Sequence, residues 1–292
     1  MNPQIQLLLA GGPVVTDGAW GTQLQARGLA VGDFPDLWNL AHPDRVSEVA
    51  AAYVDAGSQV ILTNTFGANR IRLHEQGAAT NVAEINARGV ELSRQAAGGR
   101  ARVFASIGPS GKLLAAAEVT PEELRSAFAE QAKALASGGA DALVVETMSD
   151  LEEARLAVGA ARETGLPVVA CMVFDSGKNK DRTMMGNTPE QAAEALTEAG
   201  ADVVGANCGQ GIAGFVSICK RLKAATACPI WIKANAGLPL VVDGQARYTT
   251  TPDEFASYIP GLIEAGASFV GGCCGTAPEF IAAVKRSLRS TL

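Results

Sequence analysis

The sequence lacks long apolar runs and basic clusters. No apolar stretch approaches the ~20 residues that cross a bilayer, so we expect no membrane span. Acidic side chains outnumber basic ones by 30 to 24, for a formal net charge of -6, and there is no extended run of Lys or Arg. This charge balance argues against nucleic acid or an anionic membrane as the main partner. Disorder is excluded, because 48% of the residues are hydrophobic and only 18% are charged.

Cysteine and histidine are also scarce. Six cysteines in 292 residues are too few for a disulfide scaffold, and a chain of this length does not need one. The N-terminal residues lack the basic start of a signal peptide, so we expect a cytoplasmic protein with reduced cysteines. These cysteines are then core residues, metal ligands or nucleophiles. The two histidines, His42 and His74, do not follow predicted strands, which leaves little material for histidine-based catalysis.

Short apolar runs alternate with helical patterns along the chain. The predicted strands are 13–17, 60–62, 102–105, 143–145, 167–170, 203–205, 229–232 and 269–271. The predicted helices are 42–56, 81–98, 121–138, 150–165, 189–199, 212–226, 252–265 and 278–289. Strict alternation implies parallel strands joined by right-handed crossovers, and closure of such a sheet makes a (β/α)8 TIM barrel. We therefore predict one α/β barrel domain over residues 1–292, with a doubly wound open sheet as the alternative.

Four of the predicted helices have clear start signals. Thr120, Thr188 and Thr251 each precede a proline and lie three residues before Glu or Gln, which is the pattern of a capping box. Ser149 and Glu152 have the same spacing without the proline. These signals define where the helices begin.

The reacting groups of (β/α)8 barrels lie where the strands end. Three of the six cysteines fall at such positions, with Cys208 after the sixth strand and Cys273 and Cys274 after the eighth. The other candidates at predicted strand ends are polar residues or glycines, namely Asp17, Gly18, Thr65, Gly108, Glu146, Asn207 and Asn235. The three remaining cysteines are predicted to be structural, and they are Cys171, Cys219 and Cys228.

Three thiolates that converge on one point suit a soft tetrahedral ion, and zinc is the expected one. Cys273 and Cys274 would point in opposite directions on a regular strand. The adjacent Gly271, Gly272 and Gly275 permit a turn that directs both sulfurs inward. With three protein ligands, one zinc position stays open for a substrate. The alternatives are buried small side chains or a vicinal redox dithiol.

The charge of such a centre favours a particular reaction. Zinc with three thiolates has a net negative charge and activates water poorly, but it binds a substrate thiol, which loses its proton on coordination. A transferase that acts on a thiol is therefore favoured over a hydrolase. Asp17 and Glu146 either hold a substrate ammonium or serve a turn or an ion pair. Asn207 and Asn235 either contact the substrate or cap loops.

Several motifs together resemble the homocysteine S-methyltransferase family. They are Asn207-Cys208-Gly209, Gly271-Gly272-Cys273-Cys274-Gly275-Thr276, Asp17-Gly18-Ala19-Trp20-Gly21-Thr22, Asn64-Thr65-Phe66-Gly67, Ser106-Ile107-Gly108-Pro109, Glu146-Thr147 and Asn235-Ala236-Gly237-Leu238-Pro239. The resemblance covers essentially the whole chain and is strongest to the homocysteine module of cobalamin-dependent methionine synthase. The family fold is a zinc-bearing (β/α)8 barrel, which the strand count predicts independently.

The resemblance implies a role for each candidate residue. Cys208, Cys273 and Cys274 would bind Zn2+, with the sulfur of homocysteine as the fourth ligand and methionine as the product. Asp17 and Glu146 would hold the amino group of homocysteine, and backbone amides near Gly18 and Gly108 would meet its carboxylate. Further contacts with the substrate are implied for Thr65, Asn207 and Asn235.

These residues do not identify the methyl donor. The chain has no Asp-x-His-x-x-Gly cobalamin signature, so we expect methylcobalamin carried by a separate corrinoid protein, with S-methylmethionine as the second choice. Trp20 either faces a cationic methyl group, a contact worth ~0.5–2 kcal/mol, or packs the barrel mouth. The basic loop 175–182 is a mobile lid, a docking surface or a solvated loop. The alternative functions are methyl transfer to another small thiol in a corrinoid-linked demethylation system, and a non-catalytic dithiol or metal sensor.

Overall fold

The structure is a computed structural model that describes residues 2–242 and 245–291. Its strands are β1 Val14–Val15, β2 Val60–Ile61, β3 Arg102–Ile107, β4 Ala142–Met148, β5 Val168–Met172, β6 Val203–Gly211, β7 Ile230–Asn235, β8 Leu240–Val242, β9 Gln245–Arg247 and β10 Ala267–Gly272. Its α-helices are α1 Pro3–Leu9, α2 Gly21–Gln25, α3 Trp38–Ala41, α4 Pro43–Ala56, α5 Arg70–Glu75, α6 Val82–Ala97, α7 Pro121–Ser137, α8 Leu151–Arg162, α9 Pro189–Glu198, α10 Phe215–Ala225, α11 Pro252–Ser257, α12 Ile259–Glu264 and α13 Pro278–Thr291.

Eight of these strands form one parallel sheet in the order β1-β10-β7-β6-β5-β4-β3-β2. The two outermost strands also meet, because Gln59, just before β2, donates its backbone N–H to Val15 O at 2.8 Å. The Gln59 side chain accepts in return from Val15 N at 3.1 Å. Each predicted strand is present, and the edges of the sheet bond to each other. The predicted TIM barrel is therefore confirmed over the open sheet.

Aromatic side chains fill the inside of the barrel. Trp231 lies between Phe104 and Phe269, with ring centroids 6.1 Å and 5.1 Å away. Helix α1, which the sequence did not predict, packs its buried Ile5 onto the same cluster and covers the amino-terminal end. Cys171 belongs to this cluster, and burial raises the pKa of its thiol. The carboxyl ends of the strands are thus the open end of the barrel.

The capping signals are confirmed at three helix starts. Thr120, Thr188 and Thr251 each accept a bond from the backbone N–H three residues later, and the Glu or Gln at that position bonds back. At α8 the cap is Asp150 instead of Ser149, because the Asp150 carboxylate accepts from the backbone two residues later at 2.8 Å. Local sequence therefore places these helices to within about one residue.

The loops that follow the strands carry elements that the sequence did not predict. Helices α2 and α3 follow β1, α5 follows β2, and the antiparallel hairpin β8–β9 follows β7. The predicted helix 252–265 is two helices, α11 and α12, that meet at Tyr258, since Pro260 is suited to the first turn of a helix. In the described part of the chain, no helix has both the length and the apolarity needed to cross a membrane.

One domain over residues 1–292 stays a prediction. Residues 1, 243, 244 and 292 of that range lie outside the described residues. Two of the predicted structural cysteines are buried in the core, Cys171 inside the barrel and Cys219 on α10, where burial raises the pKa of the thiol to about 12. Cys228, just before β7, is half-buried and contacts Ala201 O.

Candidate metal centre and substrate pocket

Three cysteine sulfurs meet at the open end of the barrel. The Sγ atoms of Cys208, Cys273 and Cys274 all lie within 4.8 Å of one another, and those of Cys208 and Cys274 are 3.8 Å apart. A tetrahedral zinc ion with bonds of about 2.3 Å separates its sulfur ligands by about 3.8 Å. The donor set and its spacing therefore fit zinc, and the three side chains are neither fully buried nor fully exposed.

Irregular backbone at two strand ends brings these sulfurs together. Cys208 has φ +61°, a left-handed conformation that non-glycine residues rarely adopt, and the pairing of β6 with β7 shifts register just after Asn207. After β10 the chain turns, with Thr276 N donating to Cys273 O at 3.1 Å and Gly275 at φ +79°. The turn lets adjacent cysteines face one point, as the glycine pattern predicted.

The glycines around the pair have different tasks. Only Gly275 has a positive φ, and a side chain there would also overlap the ring of Tyr248. Gly271 and Gly272 keep a negative φ, and a Cβ atom would lie 2.0 Å from Thr16 Oγ1 at the former and 2.2 Å from Thr276 Oγ1 at the latter. Their role is close packing against the first strand and the turn, in contrast to the predicted conformational role.

Hydrogen bonds within the cluster shift the pKa values of the three thiols. Bonds from Cys273 and Cys274, with help from the Asn235 side chain, lower the pKa of the Cys208 thiol. The same bonds to Cys208 raise the pKa of the Cys273 and Cys274 thiols. The cluster thus already stabilises a thiolate, which is the form that binds a metal ion.

Asn207 links the cluster to the end of β4. Its Oδ1 accepts from Thr147 N at 2.8 Å and its Nδ2 donates to Thr147 Oγ1 at 2.7 Å, while Nδ2 lies 3.8 Å from Cys273 Sγ and 3.4 Å from Glu146 Oε2. Thr147 has φ +62°, which is strained for a β-branched residue. Asn207 therefore holds a strained backbone in place between the cysteines and a carboxylate.

Asp17 is fully buried two residues after β1. Its Oδ1 is 2.5 Å from Lys233 Nζ, and its Oδ2 accepts from Trp20 Nε1 at 2.8 Å and from Leu62 N at 2.7 Å. Burial disfavours a charged Lys233, but Asp17 and Glu146 outweigh burial and raise the pKa of this lysine. Lys233 is a site residue that the sequence reasoning missed. Inward alternation along β7, with Lys233 two residues from Trp231, was the available signal.

Glu146 is the second buried carboxylate. Its Oε1 accepts from Ser106 Oγ at 2.5 Å, and burial raises its pKa, opposed by Lys233 and by the bond from Ser106. The Glu146 side chain thus lies between Ser106 of β3 and Asn207 of β6. Lys233 lowers the pKa of Glu146, and Asp17 and Glu146 both raise the pKa of Lys233. These three charged side chains therefore form one electrostatic unit.

The other predicted substrate residues surround this unit. Gly18 is buried, and a Cβ atom added at this position would lie 2.7 Å from Tyr53 Oη. The Gly108 amide donates to Phe66 O at 2.8 Å, and Thr65 Oγ1 donates to Ser106 O at 2.8 Å, so both groups are engaged within the protein. Asn235 Oδ1 is buried with no hydrogen-bond partner in the described structure. Their contacts with a substrate stay predictions.

Comparison with known proteins identifies the family of this chain. The sequence profile described as homocysteine S-methyltransferase matches residues 14–288. The chain belongs to the homocysteine S-methyltransferase family. The family resemblance and the methyltransferase class predicted from the sequence are confirmed at that level.

Two relatives of this family member are methionine synthases. That of Mycobacterium tuberculosis is 33% identical over 287 residues, and that of Mycobacterium leprae is 32% identical over 289 residues. These alignments cover 92% and 94% of the chain but 24% of each relative. The chain therefore spans about a quarter of the length of the curated relatives it matches.

A solved structure has the same fold. The metallated form of the homocysteine methyltransferase MmuM from Escherichia coli superposes with a TM-score of 0.81 at 24% identity, covering 98% of this chain and 99% of that one. At this identity the likeness supports the fold alone.

Trp20 and the loop 175–182 also have defined surroundings. Trp20 is held by its hydrogen bond to Asp17 and packs against the core, which favours a packing role over a cation–π role.

The loop 175–182 is an ordered turn, since Ser176 pairs with Arg182, Lys180 O accepts from Gln210 Nε2 at 3.0 Å, and Asp181 forms an ion pair with Arg221 at 2.6 Å. These anchors disfavour the predicted mobile lid. They leave Lys178, Lys180 and Arg182 exposed.

Proposed function

We propose that the protein transfers a methyl group to the thiol of homocysteine, giving methionine, with zinc held by Cys208, Cys273 and Cys274. The convergence of three sulfurs at the carboxyl end of the strands carries this proposal. Family membership supports the reaction, since the matching profile is named for it. We propose the cytoplasm as its location, as the sequence predicts.

The residues around the cysteines have separate tasks in this proposal. Bound zinc supplies a lowered thiol pKa, so that the substrate presents a thiolate at neutral pH. Glu146 takes the substrate's amino group, and backbone amides near Gly18 receive its carboxylate. Asn207 fixes the positions of the Glu146 and Cys273 side chains relative to each other. Catalysis then comes from orientation and from the partly enclosed mouth of the barrel, without an acid–base residue.

For the methyl donor, we propose methylcobalamin on a separate corrinoid protein, with S-methylmethionine as the second candidate. In the described structure, most of the exposed large apolar residues lie on loops that follow strands, namely Val31, Leu40, Leu113, Met184, Met185, Leu238 and Leu240. A groove of about 460 Å³ beside Cys208 is lined by Lys180, Gly209 and Leu238, among others. An apolar, partly basic face around the site is suited to a protein that carries the donor.

The proposed function is tested by a donor screen. Zinc-loaded protein is incubated with homocysteine and, in turn, methylcobalamin, S-methylmethionine, betaine or methyltetrahydrofolate, and methionine is quantified. We expect methionine from methylcobalamin, and from S-methylmethionine if the second candidate is right. Methionine from none of the four would contradict homocysteine as the acceptor and favour another small thiol.

Neutralising the basic loop tests the docking surface. We expect the triple variant Lys178→Gln, Lys180→Gln and Arg182→Gln to lower kcat/KM for a corrinoid-protein donor by about tenfold at low salt, because rim charges mainly set association rates. Transfer from free methylcobalamin should change less than about twofold. A control variant neutralises Lys133 and Lys220, which are exposed on the outer helices α7 and α10. Equal rates in the triple variant and the parent would exclude docking through this loop.

A further inference from the structure

The segment 248–250, which follows the β8–β9 hairpin, packs against the turn that carries the cysteine pair. A Cβ atom at Gly275 would lie 2.2 Å from Tyr248 Cγ, and one at Gly237 would lie 2.9 Å from Thr250 Oγ1. Both glycines have a positive φ, +79° at Gly275 and +89° at Gly237. Tyr248 is half-buried and packs against the core. The segment is therefore a fitted wall of the metal centre, since a side chain at either glycine would push it away.

The hydroxyl of Tyr248 reaches the cysteine cluster, where it forms a hydrogen bond with the side chain of Cys274. A phenol keeps its proton at neutral pH, so this hydroxyl is the donor when Cys274 is a thiolate. The backbone of Cys274 is fixed as well, because its carbonyl accepts from Ala236 N at 2.9 Å. Tyr248 thus contacts one cysteine of the cluster in a defined geometry.

Each cysteine of the cluster has a polar donor from outside the cluster. The donors come from β6, from the end of β7 and from the segment after β9, and they are Gly209 N and the Asn235 side chain to Cys208, the Asn207 side chain to Cys273 and the Tyr248 hydroxyl to Cys274. A donor stabilises the negative charge of a thiolate, and this charge is what makes the sulfur a nucleophile. The cysteine sulfurs are therefore less nucleophilic than a thiolate without a donor.

Methyl transfer at such a centre requires a choice between sulfurs. In the proposed function, the substrate's thiol and the three cysteines are ligands of one ion, so four thiolates compete for one methyl group. When any of them attacks, a sulfur–carbon bond forms, the bond from the methyl group to its leaving group breaks, and the leaving group keeps that electron pair. Attack by a cysteine converts a thiolate ligand into a neutral thioether and so damages the metal centre.

We propose that Tyr248 is a positioning residue that protects Cys274 from methylation, so that the methyl group goes to the substrate's thiol. This inference rests on the proposed function and deepens it. The hydroxyl stabilises the charged sulfur before the reaction more than in the transition state, where that charge is being lost, so attack by Cys274 is slowed. The ring adds to this effect because it covers the turn at Gly275.

The test measures methylation of the protein's own cysteines. The zinc-loaded parent and Tyr248→Phe are treated with iodomethane without homocysteine, and the methylation of each cysteine is followed by tandem mass spectrometry, which distinguishes adjacent residues. The methylation rate of Cys274 should rise about tenfold in Tyr248→Phe, because a hydrogen bond to a thiolate is lost. The rates of Cys208 and Cys273 should change less than about twofold, because their own donors remain.

Two controls accompany this measurement. Tyr258→Phe removes a tyrosine hydroxyl at the junction of α11 and α12 and should leave the methylation of Cys274 as in the parent. Cys228, which is not part of the cluster, is the reference for reagent exposure in each sample. Equal methylation of Cys274 in the parent and in Tyr248→Phe overturns the inference. An equal rise at all three cysteines of the cluster also overturns it, since that is the result of a loosened structure.

A second variant and a spectroscopic signal separate the hydroxyl from the ring. Tyr248→Leu removes both, and Cys274 should be methylated at least as fast as in Tyr248→Phe. If only Tyr248→Leu is methylated faster, the ring acts by contact alone and the role of the hydroxyl is refuted. In cobalt-loaded protein, Tyr248→Phe should shift the thiolate-to-cobalt charge-transfer band to longer wavelength, because the thiolate electrons lose a stabilising donor. An unshifted band contradicts the bond to Cys274.

The proposed function and this inference fail in different ways. The iodomethane assay contains no homocysteine, so its result does not depend on the acceptor. If the donor screen gives no methionine and Tyr248→Phe still accelerates methylation of Cys274, homocysteine is not the acceptor, but Tyr248 does protect the metal centre. If the screen gives methionine and Cys274 is methylated equally in both proteins, the proposed function stands and the role of Tyr248 is wrong.

Discussion

Replacing Cys208 by serine should remove zinc from the protein and abolish methyl transfer. Cys208 belongs to the three-cysteine cluster, with its Sγ 3.8 Å from that of Cys274, and hydrogen bonds from Cys273 and Cys274 lower the pKa of its thiol. A serine hydroxyl does not ionise at neutral pH and is a poor ligand for zinc. Structural zinc sites bind with about 10–16 kcal/mol over four ligands, so losing one ligand should weaken zinc binding about 100- to 1000-fold.

The measurement is zinc content after dialysis, together with the rate of methionine formation. Cys228→Ser is the matched control, because Cys228 is half-buried just before β7 and is not part of the cluster. It should retain one zinc ion per chain and the activity of the parent. A Cys208→Ser protein that keeps stoichiometric zinc and full activity would contradict the assigned metal centre.

Replacing Asn207 by alanine should have the next largest effect. The change removes two bonds to Thr147 and the contacts with Glu146 Oε2 and Cys273 Sγ. Groups that orient metal ligands typically contribute 10- to 100-fold to metal affinity or activity, and we expect a loss of about that size in kcat/KM for homocysteine. Thermal unfolding should also occur at a lower temperature, because the strained backbone of Thr147 loses its support.

A second substitution separates the two effects of Asn207. Glycine adopts the φ of +62° at position 147 without strain, so Thr147→Gly in the Asn207→Ala background should recover part of the lost thermal stability. It cannot restore the contacts with Glu146 and Cys273, so kcat/KM should stay low. Unchanged kcat/KM in Asn207→Ala would show that this side chain does not position the site.

The barrel and its helix caps could be predicted because they depend on short-range patterns. An apolar run such as 203–205 and a cap such as Thr188-Pro189 carry their own signals, and both are present as expected. Helix α1 could not be predicted in this way. Its seven residues are held by the packing of Ile5 onto a cluster that contains Trp231, which lies more than 200 residues later in the chain.

The candidate site divides in the same manner. The three cysteines were found because each follows a predicted strand, where a (β/α)8 barrel collects reactive groups, although β6 itself extends past Cys208 to Gly211. Lys233 was missed although it directly follows the predicted strand 229–232, because the only candidate at that strand end was Asn235. Tyr248, which packs over Gly275 and whose pKa is raised to about 12 by burial and the nearby cysteines, follows a hairpin that had no sequence signal.

The sequence by itself determined the alternation of strands and helices and the placement of three cysteines at strand ends, because both follow from local periodicity and composition. Only the tertiary structure decided which charged side chains pair in the site and in which direction the cysteine sulfurs point. Closure of the barrel brings Lys233 to Asp17 across 216 positions of the chain, and a left-handed backbone at Cys208 directs its sulfur to Cys274. Contacts of that kind depend on the packing of distant segments, which no local pattern encodes.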